Sequence, residues 1–143
     1  MNIAHLIATR KASDILTCDV DMTMRQAIAI IASKRIGALP VMEGGKVAGI
    51  FSERDVIYRV ADSGGDCLDQ RVGDVMTAPA VTISADMPVD EALALMTKRR
   101  IRHLPVVEGE AMCGFISIGD LVKSRMVEVE QEAAAMRNYI TTS

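Results

Sequence analysis

The length and composition of the chain limit the kinds of protein it can be. With 143 residues, half of them hydrophobic, it is close to the usual size of one domain and can bury a core without disulfides or a metal ion. Its 16 basic and 19 acidic side chains give a formal charge of −3, which excludes the broad basic surface that binds nucleic acid.

The cysteines and the apolar segments indicate a soluble, cytoplasmic protein. Cys18, Cys67 and Cys113 are far apart and odd in number, so they match neither a disulfide framework nor the CxxC clusters of zinc sites. The N-terminus begins too weakly for a signal peptide, and no apolar run approaches the roughly 18 residues of a membrane span. We therefore expect reduced thiols, no metal and no association with a membrane.

One stretch of the sequence occurs twice. RIGALPVMEG begins at Arg35 and RIRHLPVVEG begins at Arg100, a shift of 65 residues. The same shift, without a gap, pairs Thr17 with Thr82, Asp21 with Asp86, Gly49 with Gly114, Ser52 with Ser117 and Asp55 with Asp120. We interpret the chain as two tandem copies, residues 1–65 and 66–127, followed by a C-terminal helical tail at residues 128–143.

The first elements of each copy are a short strand and an amphipathic helix. Before the strand the register slips, because IAHLI at Ile3 resembles VGDVM at Val72 only if the first copy carries four extra residues. The helix is predicted because apolar residues recur at the i, i+3, i+4, i+7 spacing in both copies: Met24, Ala27, Ile28 and Ile31, then Val89, Ala92, Leu93 and Met96.

Two short strands around a tight turn, and then a second helix, complete each copy. The turn sequences are EGG in the first copy and EGE in the second. The second helix is predicted from Arg54 to Ala61 in the first copy and from Gly119 onward in the second. DSGGD, which starts at Asp62, is the only glycine-rich linker and falls between the copies. The predicted fold class is α+β, with the order β-α-β-β-α in each copy.

The motif Ser-x-x-Asp stands at the start of the second helix in both copies, as Ser52 to Asp55 and as Ser117 to Asp120. One interpretation is a capping box, in which the serine and the carboxylate satisfy N–H groups at the helix start. The other is a ligand site. A helix N-terminus offers free N–H groups and partial positive charge to a phosphate, and a carboxylate beside it can accept from two vicinal hydroxyls. A ribose phosphate needs both features, so both interpretations stay open.

The order of elements, the Leu-Pro-Val strand and the doubled Gly-h-h-Ser-x-x-Asp, in which h is apolar, resemble tandem cystathionine-β-synthase (CBS) domains. A pair of these domains is called a Bateman module, and the resemblance covers roughly residues 3–127. It implies that the copies pack sheet to sheet through pseudo-twofold symmetry. It also implies that clefts between the sheets bind an adenosine-containing ligand such as AMP, ADP, ATP, NAD or S-adenosylmethionine.

The resemblance further implies a role for residues of both copies. Asp55 and Asp120 would hold ribose hydroxyls, and Ser52 and Ser117 would lie at the ribose or the phosphate. The adenine pockets would be lined by Thr17 and Thr82 on the first strands, and by the backbone of Ala38, Leu39, Pro40, His103, Leu104 and Pro105.

The phosphate-binding residues are expected to differ between the copies. In the family the two positions before Leu-Pro are often basic and reach phosphates. They are Arg102 and His103 in the second copy but Gly37 and Ala38 in the first. Arg54 is an addition of the first copy, because the second copy has a glycine there. The other interpretation of the basic run around Arg102 is the solvated end of a helix.

A separate pattern follows the second copy, where apolar residues are spaced 4, 3, 4, 3 and 4 apart: Val122, Met126, Val129, Ala133, Met136 and Ile140. This is the spacing of a coiled-coil seam, although it runs for fewer than three heptads. The seam packs either on its own domain or on a partner subunit. CBS pairs commonly form homodimers, so we expect a homodimer.

These observations favour a non-catalytic sensor whose regulatory ligand is AMP, ADP, ATP or NAD and whose bound state alters a surface read by an unidentified regulated protein. One alternative is an enzyme that uses Cys113 or His103, but the sequence has no P-loop, CxxC motif or metal-ligand cluster. The other alternative is a structural homodimer or protein-interaction module without a physiological nucleotide.

Overall fold

The computed structural model describes residues 1–142, so Ser143, the last residue of the predicted tail, lies outside them. Two short 3₁₀ turns, Ala12–Asp14 and Gly64–Asp69, lie in the connections. The helices and strands in chain order are α1 (Ile3–Ile7), β1 (Cys18–Asp19), α2 (Met24–Lys34), β2 (Ala38–Glu43), β3 (Lys46–Ser52), α3 (Glu53–Ser63), α4 (Val72–Val75), α5 (Val89–Arg99), β4 (His103–Glu108), β5 (Ala111–Ser117) and α6 (Ile118–Thr142).

The amphipathic helices predicted from the apolar spacing are α2 and α5, each 11 residues long. Both end at an arginine in the left-handed region, Arg35 with φ 53° and Arg100 with φ 56°, whose N–H group bonds back to a carbonyl of the last turn. The buried side chains of the two helices belong to the predicted stripes: Met24, Ala27 and Ile31, then Val89, Ala92 and Met96. The predicted core-facing side is therefore confirmed in both copies.

Each copy forms its own sheet, with the strand order β1-β2-β3 in the first and β4-β5 in the second. β2 with β3 and β4 with β5 are antiparallel hairpins, and their two-residue turns use a positive φ at Gly44 (58°) and Gly109 (63°). β1 runs parallel to β2. In the second copy the expected first strand is reduced to one bridging residue, Ile83, which pairs in parallel with Val106.

The N-terminal segment of each copy, ahead of its first strand, packs on the other copy. Ile3 of α1 belongs to the first copy but is fully buried in the core of the second, and Val72 of α4 belongs to the second copy but is fully buried in the core of the first. Glycines leave room for both crossings. A Cβ at Gly49 would lie 2.6 Å from the backbone carbonyl of Thr77, and one at Gly114 would lie 2.9 Å from the side chain of Ile7. The two copies are therefore interlocked.

The sheets of the two copies meet through β3 and β5, and α6 packs on α5. The helix predicted from Gly119 onward is α6, which extends over 25 residues. Its first turns lie on the body, because Leu121 is fully buried and Ser124 is 6% exposed. Its later turns are open to solvent.

The predicted coiled-coil seam along α6 is largely uncovered. Val122 is 43% exposed, Val129 is 48% exposed, and Met126 and Met136 are each 67% exposed. Packing on its own domain therefore leaves most of this apolar seam in contact with solvent.

The three cysteines are free thiols in different surroundings. Cys18 and Cys67 are buried, whereas Cys113 is half-buried. Burial raises the pKa of the Cys18 thiol to about 11, and the charge of Asp19 adds to the effect. Across residues 1–142, no helix has both the length and the apolar character that are needed to span a membrane.

Candidate functional site

The Ser-x-x-Asp motifs form capping boxes at the first turns of α3 and α6. The N–H of Ser52 donates to Asp55 Oδ2 at 2.8 Å, and the N–H of Asp55 donates to Ser52 Oγ at 3.4 Å. The same two hydrogen bonds join Ser117 and Asp120, at 2.9 and 3.2 Å. The capping interpretation is therefore confirmed in both copies, and Oδ1 of each carboxylate is left for other partners.

The helix starts offer fewer free N–H groups than the sequence suggested. The N–H of Glu53 donates to the carbonyl of Gly37 at 3.1 Å, and the N–H of Ile118 donates to the carbonyl of Arg102 at 2.8 Å. The capping boxes use a further N–H group of each helix. A phosphate at either helix would therefore be held mainly by side chains.

Oδ1 of each carboxylate binds the N-terminal segment of the other copy. Thr77, between α4 and Ile83 of the second copy, donates from Oγ1 to Asp55 Oδ1 at 2.8 Å. Arg10 lies in the segment that we call the strap, residues 9–16, which precedes β1 of the first copy. Its Nη2 is 2.9 Å from Asp120 Oδ1 and its Nη1 is 3.3 Å from Oδ2. One carboxylate thus meets a neutral hydroxyl and the other meets a guanidinium group.

The first of two clefts opens at the N-terminus of α3 and has a volume of about 550 Å³. We call it the Asp55 cleft. Ligand pockets in proteins commonly measure about 300–1,000 Å³, so it has room for a small-molecule ligand. The residues that line it include Gly37, Ser52, Glu53, Arg54, Asp55, Thr77, Arg99, Arg100, Arg102 and His103.

The second cleft opens at the N-terminus of α6 and has a volume of about 600 Å³. We call it the Asp120 cleft. The residues that line it include Arg10, Lys11, Asp14, Arg35, Gly37, Ala38, His103, Cys113, Phe115, Ser117 and Asp120. The strap supplies one wall of this cleft.

Each cleft combines the Ser-x-x-Asp of one copy with the end of the amphipathic helix of the other copy, α5 in the Asp55 cleft and α2 in the Asp120 cleft. Arg102 lines the Asp55 cleft, whereas Ala38 lines the Asp120 cleft. The sequence associated Arg102 with the second copy, and the structure places it opposite the carboxylate of the first. A direct bond spans this cleft, since Arg54 Nη1 donates to the carbonyl of Arg100 at 2.9 Å. The copies face each other, and this is why their residues are exchanged between clefts.

Six of the residues that the resemblance implied line neither cleft. Thr17 and Thr82 are exposed and lie one residue before Cys18 and Ile83, the residues that pair with the hairpin strands. The other four are buried within β2 and β4: Leu39, Pro40, Leu104 and Pro105.

His103 lies between the clefts and lines both of them. Its ring stacks on Phe115, with centroids 5.6 Å apart and planes 14° apart. A Cβ at Gly37 would lie 3.2 Å from its Cε1 atom. Burial lowers the pKa of His103, although the charges of Asp120 and Glu53 act in the opposite direction. We therefore expect a neutral imidazole ring at neutral pH.

The carboxyl group of Asp120 has a pKa below its usual value. Burial by itself would raise this pKa, but the hydrogen bonds from Arg10 and Ser117, together with the charge of Arg10, outweigh it. Asp120 is therefore ionised and paired at neutral pH.

Sequence comparison of the two copies missed several residues at these clefts. Arg10 and Thr77 precede the region in which the copies align without a gap, so the repeat could not point to them. Phe115 is one of the apolar positions of Gly-h-h-Ser-x-x-Asp, and the motif assigned it no role at the cleft. Within residues 1–142, no group of three or more His, Cys, Asp or Glu side chains could hold a metal ion.

The fold and the two clefts define a tandem pair of small α+β domains that exchange their N-terminal segments. The CBS domain sequence pattern matches the chain twice, at residues 7–62 and 72–126. The chain therefore belongs to the CBS-domain family and contains a tandem CBS pair.

The chain is similar to other CBS proteins over most of its length. A mitochondrial CBS domain-containing protein of Arabidopsis thaliana is 35% identical over 130 residues, which cover 87% of this chain and 63% of the relative. A protein with CBS domains from Burkholderia ambifaria is 37% identical, with a TM-score of 0.82 over 89% of this chain and 95% of that one. A CBS-domain protein from Agrobacterium tumefaciens is 35% identical, with a TM-score of 0.81 over 87% and 92%.

Two more distant structures share the fold and contain ligands. One is a CBS protein in complex with AMP, 18% identical with a TM-score of 0.74 over 87% of this chain and 96% of that one. The other is a CBS domain pair in complex with 5′-methylthioadenosine and S-adenosyl-L-methionine, 22% identical with a TM-score of 0.75 over 91% and 98%.

Proposed function

We propose that this chain is a non-catalytic regulatory protein that binds an adenosine-containing ligand, AMP, ADP, ATP or NAD, in the clefts between its two CBS repeats. The observation that carries the proposal is the composition of the Asp55 cleft. A carboxylate oxygen that can accept from ribose hydroxyls lies in the same cleft as four arginines that can hold phosphate: Arg54, Arg99, Arg100 and Arg102.

The ligands of the two more distant structures support this ligand class. AMP, S-adenosylmethionine and 5′-methylthioadenosine differ at the 5′ position but share an adenosine group. A ligand of this class matches a carboxylate for the ribose and, where a phosphate is present, a basic wall.

The lining groups suit binding better than catalysis. Nucleophilic catalysis by a cysteine needs a base within hydrogen-bond reach of the thiol. Cys113 and His103, the residues of the enzyme hypothesis, both line the Asp120 cleft, yet no hydrogen bond joins them in the described part of the chain. Hydrolysis of a bound nucleotide in a purified sample would favour the enzyme hypothesis instead.

Thermal unfolding with a ligand panel tests the proposal. At about a hundred times its dissociation constant, a nucleotide that binds only the folded state should add roughly 2.7 kcal/mol of stability. At about 2–4 °C per kcal/mol this is a shift of several degrees in Tm. At least one of AMP, ADP, ATP and NAD should produce this shift, with guanosine and buffer as controls. A panel that moves Tm no more than the controls would favour a structural module without a nucleotide.

We further propose that the chain forms a homodimer and works in the cytoplasm on an unidentified regulated protein. The uncovered seam of α6 supports the homodimer, and three free cysteines suit a reducing compartment. Regulation requires that the ligand bind one conformation of the CBS pair more tightly than another, and that the partner distinguish the two.

A further inference from the structure

Both oxygens of the Asp120 carboxylate contact one guanidinium group. Arg10 approaches them at 2.9 and 3.3 Å, with two parallel donors on two acceptors. The Arg10 side chain is 44% exposed and that of Asp120 is 29% exposed, so the pair is within reach of solvent and of a competing ligand. Ribose hydroxyls that bind this carboxylate must compete with the guanidinium, which contacts both of its oxygens.

The equivalent carboxylate in the other cleft meets a weaker competitor. Thr77 gives Asp55 Oδ1 a single hydrogen bond from a neutral hydroxyl. Bonds from charged donors are roughly twice as strong as neutral ones. A carboxylate oxygen also has about two acceptor sites, so a ribose hydroxyl can bind beside Thr77 or replace it like for like.

The positive charge that is available to a phosphate is also larger in the Asp55 cleft than in the Asp120 cleft. Four arginines line the Asp55 cleft, and none of them forms an ion pair in the described chain: Arg54, Arg99, Arg100 and Arg102. In the Asp120 cleft Arg10 is paired with Asp120, which leaves Lys11 and Arg35. Each cleft also has one further acidic lining residue, Glu53 in the Asp55 cleft and Asp14 in the Asp120 cleft.

From these differences we propose that Arg10 is an internal competitor for the Asp120 carboxylate, so that the Asp55 cleft is the stronger nucleotide site. The inference rests on the proposed function, because it concerns which cleft binds the ligand first. The 3₁₀ turn of the strap, Ala12–Asp14, packs on β5, which carries Cys113. The ion pair between Arg10 and Asp120 therefore also fastens the strap along the Asp120 cleft.

Calorimetric titration of the full chain with AMP tests the proposal through Arg10→Gln. Wild type should bind AMP at one strong site, and the variant should gain a second site that is about tenfold tighter than the weak site of wild type. The matched control is Arg71→Gln, which breaks another Arg–Asp pair, with Asp21, and lines neither cleft. The double variant Arg10→Gln/Asp120→Asn should lose the gained site and so locate it.

Three results would overturn the proposal. The first is two equal AMP sites in wild type, and the second is an unchanged stoichiometry in Arg10→Gln. The third is weaker binding in Arg10→Gln, which would make Arg10 a phosphate contact instead of a competitor.

A second measurement does not depend on AMP and separates this proposal from the proposed function. Cys113 lines the Asp120 cleft, whereas Cys18 and Cys67 are buried, so iodoacetamide should modify Cys113 first. Its modification should be faster in Arg10→Gln than in wild type or Arg71→Gln, and Cys113→Ser should abolish the fast phase. If no variant binds AMP, the proposed function fails, while this rate still shows whether the pair of Arg10 and Asp120 fastens the strap along the cleft. Equal rates would overturn that part of the proposal.

Discussion

Two glycines at equivalent positions of the repeats show how single residues determine the interlocking of the copies. Gly49 faces the backbone of Thr77 and the side chain of Met76, and Gly114 faces Ile7. The absence of a side chain allows Ile50 to exchange two backbone hydrogen bonds with Thr77, both 2.9 Å long. The same Thr77 donates to Asp55, so this contact also positions the Asp55 cleft.

Gly49→Ala should destabilise the fold because its Cβ would lie 2.6 Å from a carbonyl oxygen that is tied into this pairing. The expected loss in the free energy of unfolding is about 1–3 kcal/mol, as for other overpacked sites. Denaturant unfolding measures it. Gly65→Ala is the matched control, since a Cβ there meets nothing within 4 Å and φ is not positive. Equal unfolding midpoints for the two variants would contradict the close approach.

The ion pair of Arg10 and Asp120 should make stability depend on pH in acid. Because the pKa of Asp120 is lowered in the folded state, the pair stabilises the protein above the pKa that Asp has in the unfolded chain, about 4. That stability is lost as the pH falls through the folded pKa. Since the pair is partly exposed, its size should not exceed about 1 kcal/mol.

Denaturant unfolding of wild type and Arg10→Gln at several pH values measures this effect. The difference in unfolding free energy should be largest near neutral pH and should vanish in acid. The unfolding free energy of Asp120→Asn should lie close to that of the double variant Arg10→Gln/Asp120→Asn at every pH, because neither contains the ion pair. A difference that grows as the pH falls has the wrong sign and would contradict the ion pair.

At the scale of single elements, α6 differs from α3, the corresponding helix of the first copy, because it both borders a cleft and carries the exposed apolar seam. Its first turn carries the capping box of Asp120, and Leu121 anchors it in the core of the second copy. The helix then continues for several turns, whereas α3 ends at Ser63. An exposed apolar seam on this extension is costly in water unless a partner covers it.

Met136→Glu should therefore weaken the proposed homodimer, because it places a charge in the seam. Light scattering of wild type should give about twice the chain mass of 15.4 kDa, and the mass of the variant should fall toward that of a single chain. Gln131→Glu adds the same charge at an exposed position of α6 outside the seam and should leave the mass unchanged. A wild-type chain that is monomeric at tens of micromolar would remove this proposal, as would equal masses for the two variants.

For the whole molecule, the decisive feature is that each copy contributes residues both to the core and to the cleft of the other copy. Their N-terminal segments cross, so that Ile3 and Val72 each complete the core of the other copy. Their clefts also cross, so that Arg102 lies with Asp55 and not with the aspartate of its own copy. Loss of one copy would therefore remove part of both clefts and part of both cores.

Two double-mutant cycles on the free energy of AMP binding test whether Arg102 shares a cleft with Asp55 or with Asp120. Asp55→Asn and Arg102→Ala act in one cleft, so their effects on the binding free energy should couple by about 0.5–3 kcal/mol. Asp120→Asn and Arg102→Ala act in different clefts and should add to within a few tenths of a kcal/mol. Calorimetry of wild type, the three single variants and the two double variants measures both couplings. Coupling of Arg102 to Asp120 alone would contradict the crossed clefts.

Local patterns were enough to predict the two amphipathic helices, the two hairpins and the helix that follows each hairpin, but the first strand expected in the second copy is reduced to the single bridging residue Ile83. The apolar stripe of Met24, Ala27 and Ile31 defines a helix face because side chains three and four positions apart lie on the same side. The 65-residue shift then assigned the same elements to the second copy, and the hairpins confirm it. The Ser-x-x-Asp capping boxes were also predictable, since their bonds span only three residues. The domain boundaries after residues 65 and 127 stay predictions.

Only the tertiary structure decided which residues share a cleft. Arg10 and Asp120 are 110 positions apart, and the strap that carries Arg10 lies outside the aligned repeat, so no periodicity relates them. The resemblance implied that Thr17 and Thr82 line adenine pockets; both are exposed, and neither is among the residues that line the two clefts. Contacts between copies depend on how two folded surfaces meet. That geometry is set by burial of Ile3 and Val72 across the pair and leaves no short-range signal in the sequence.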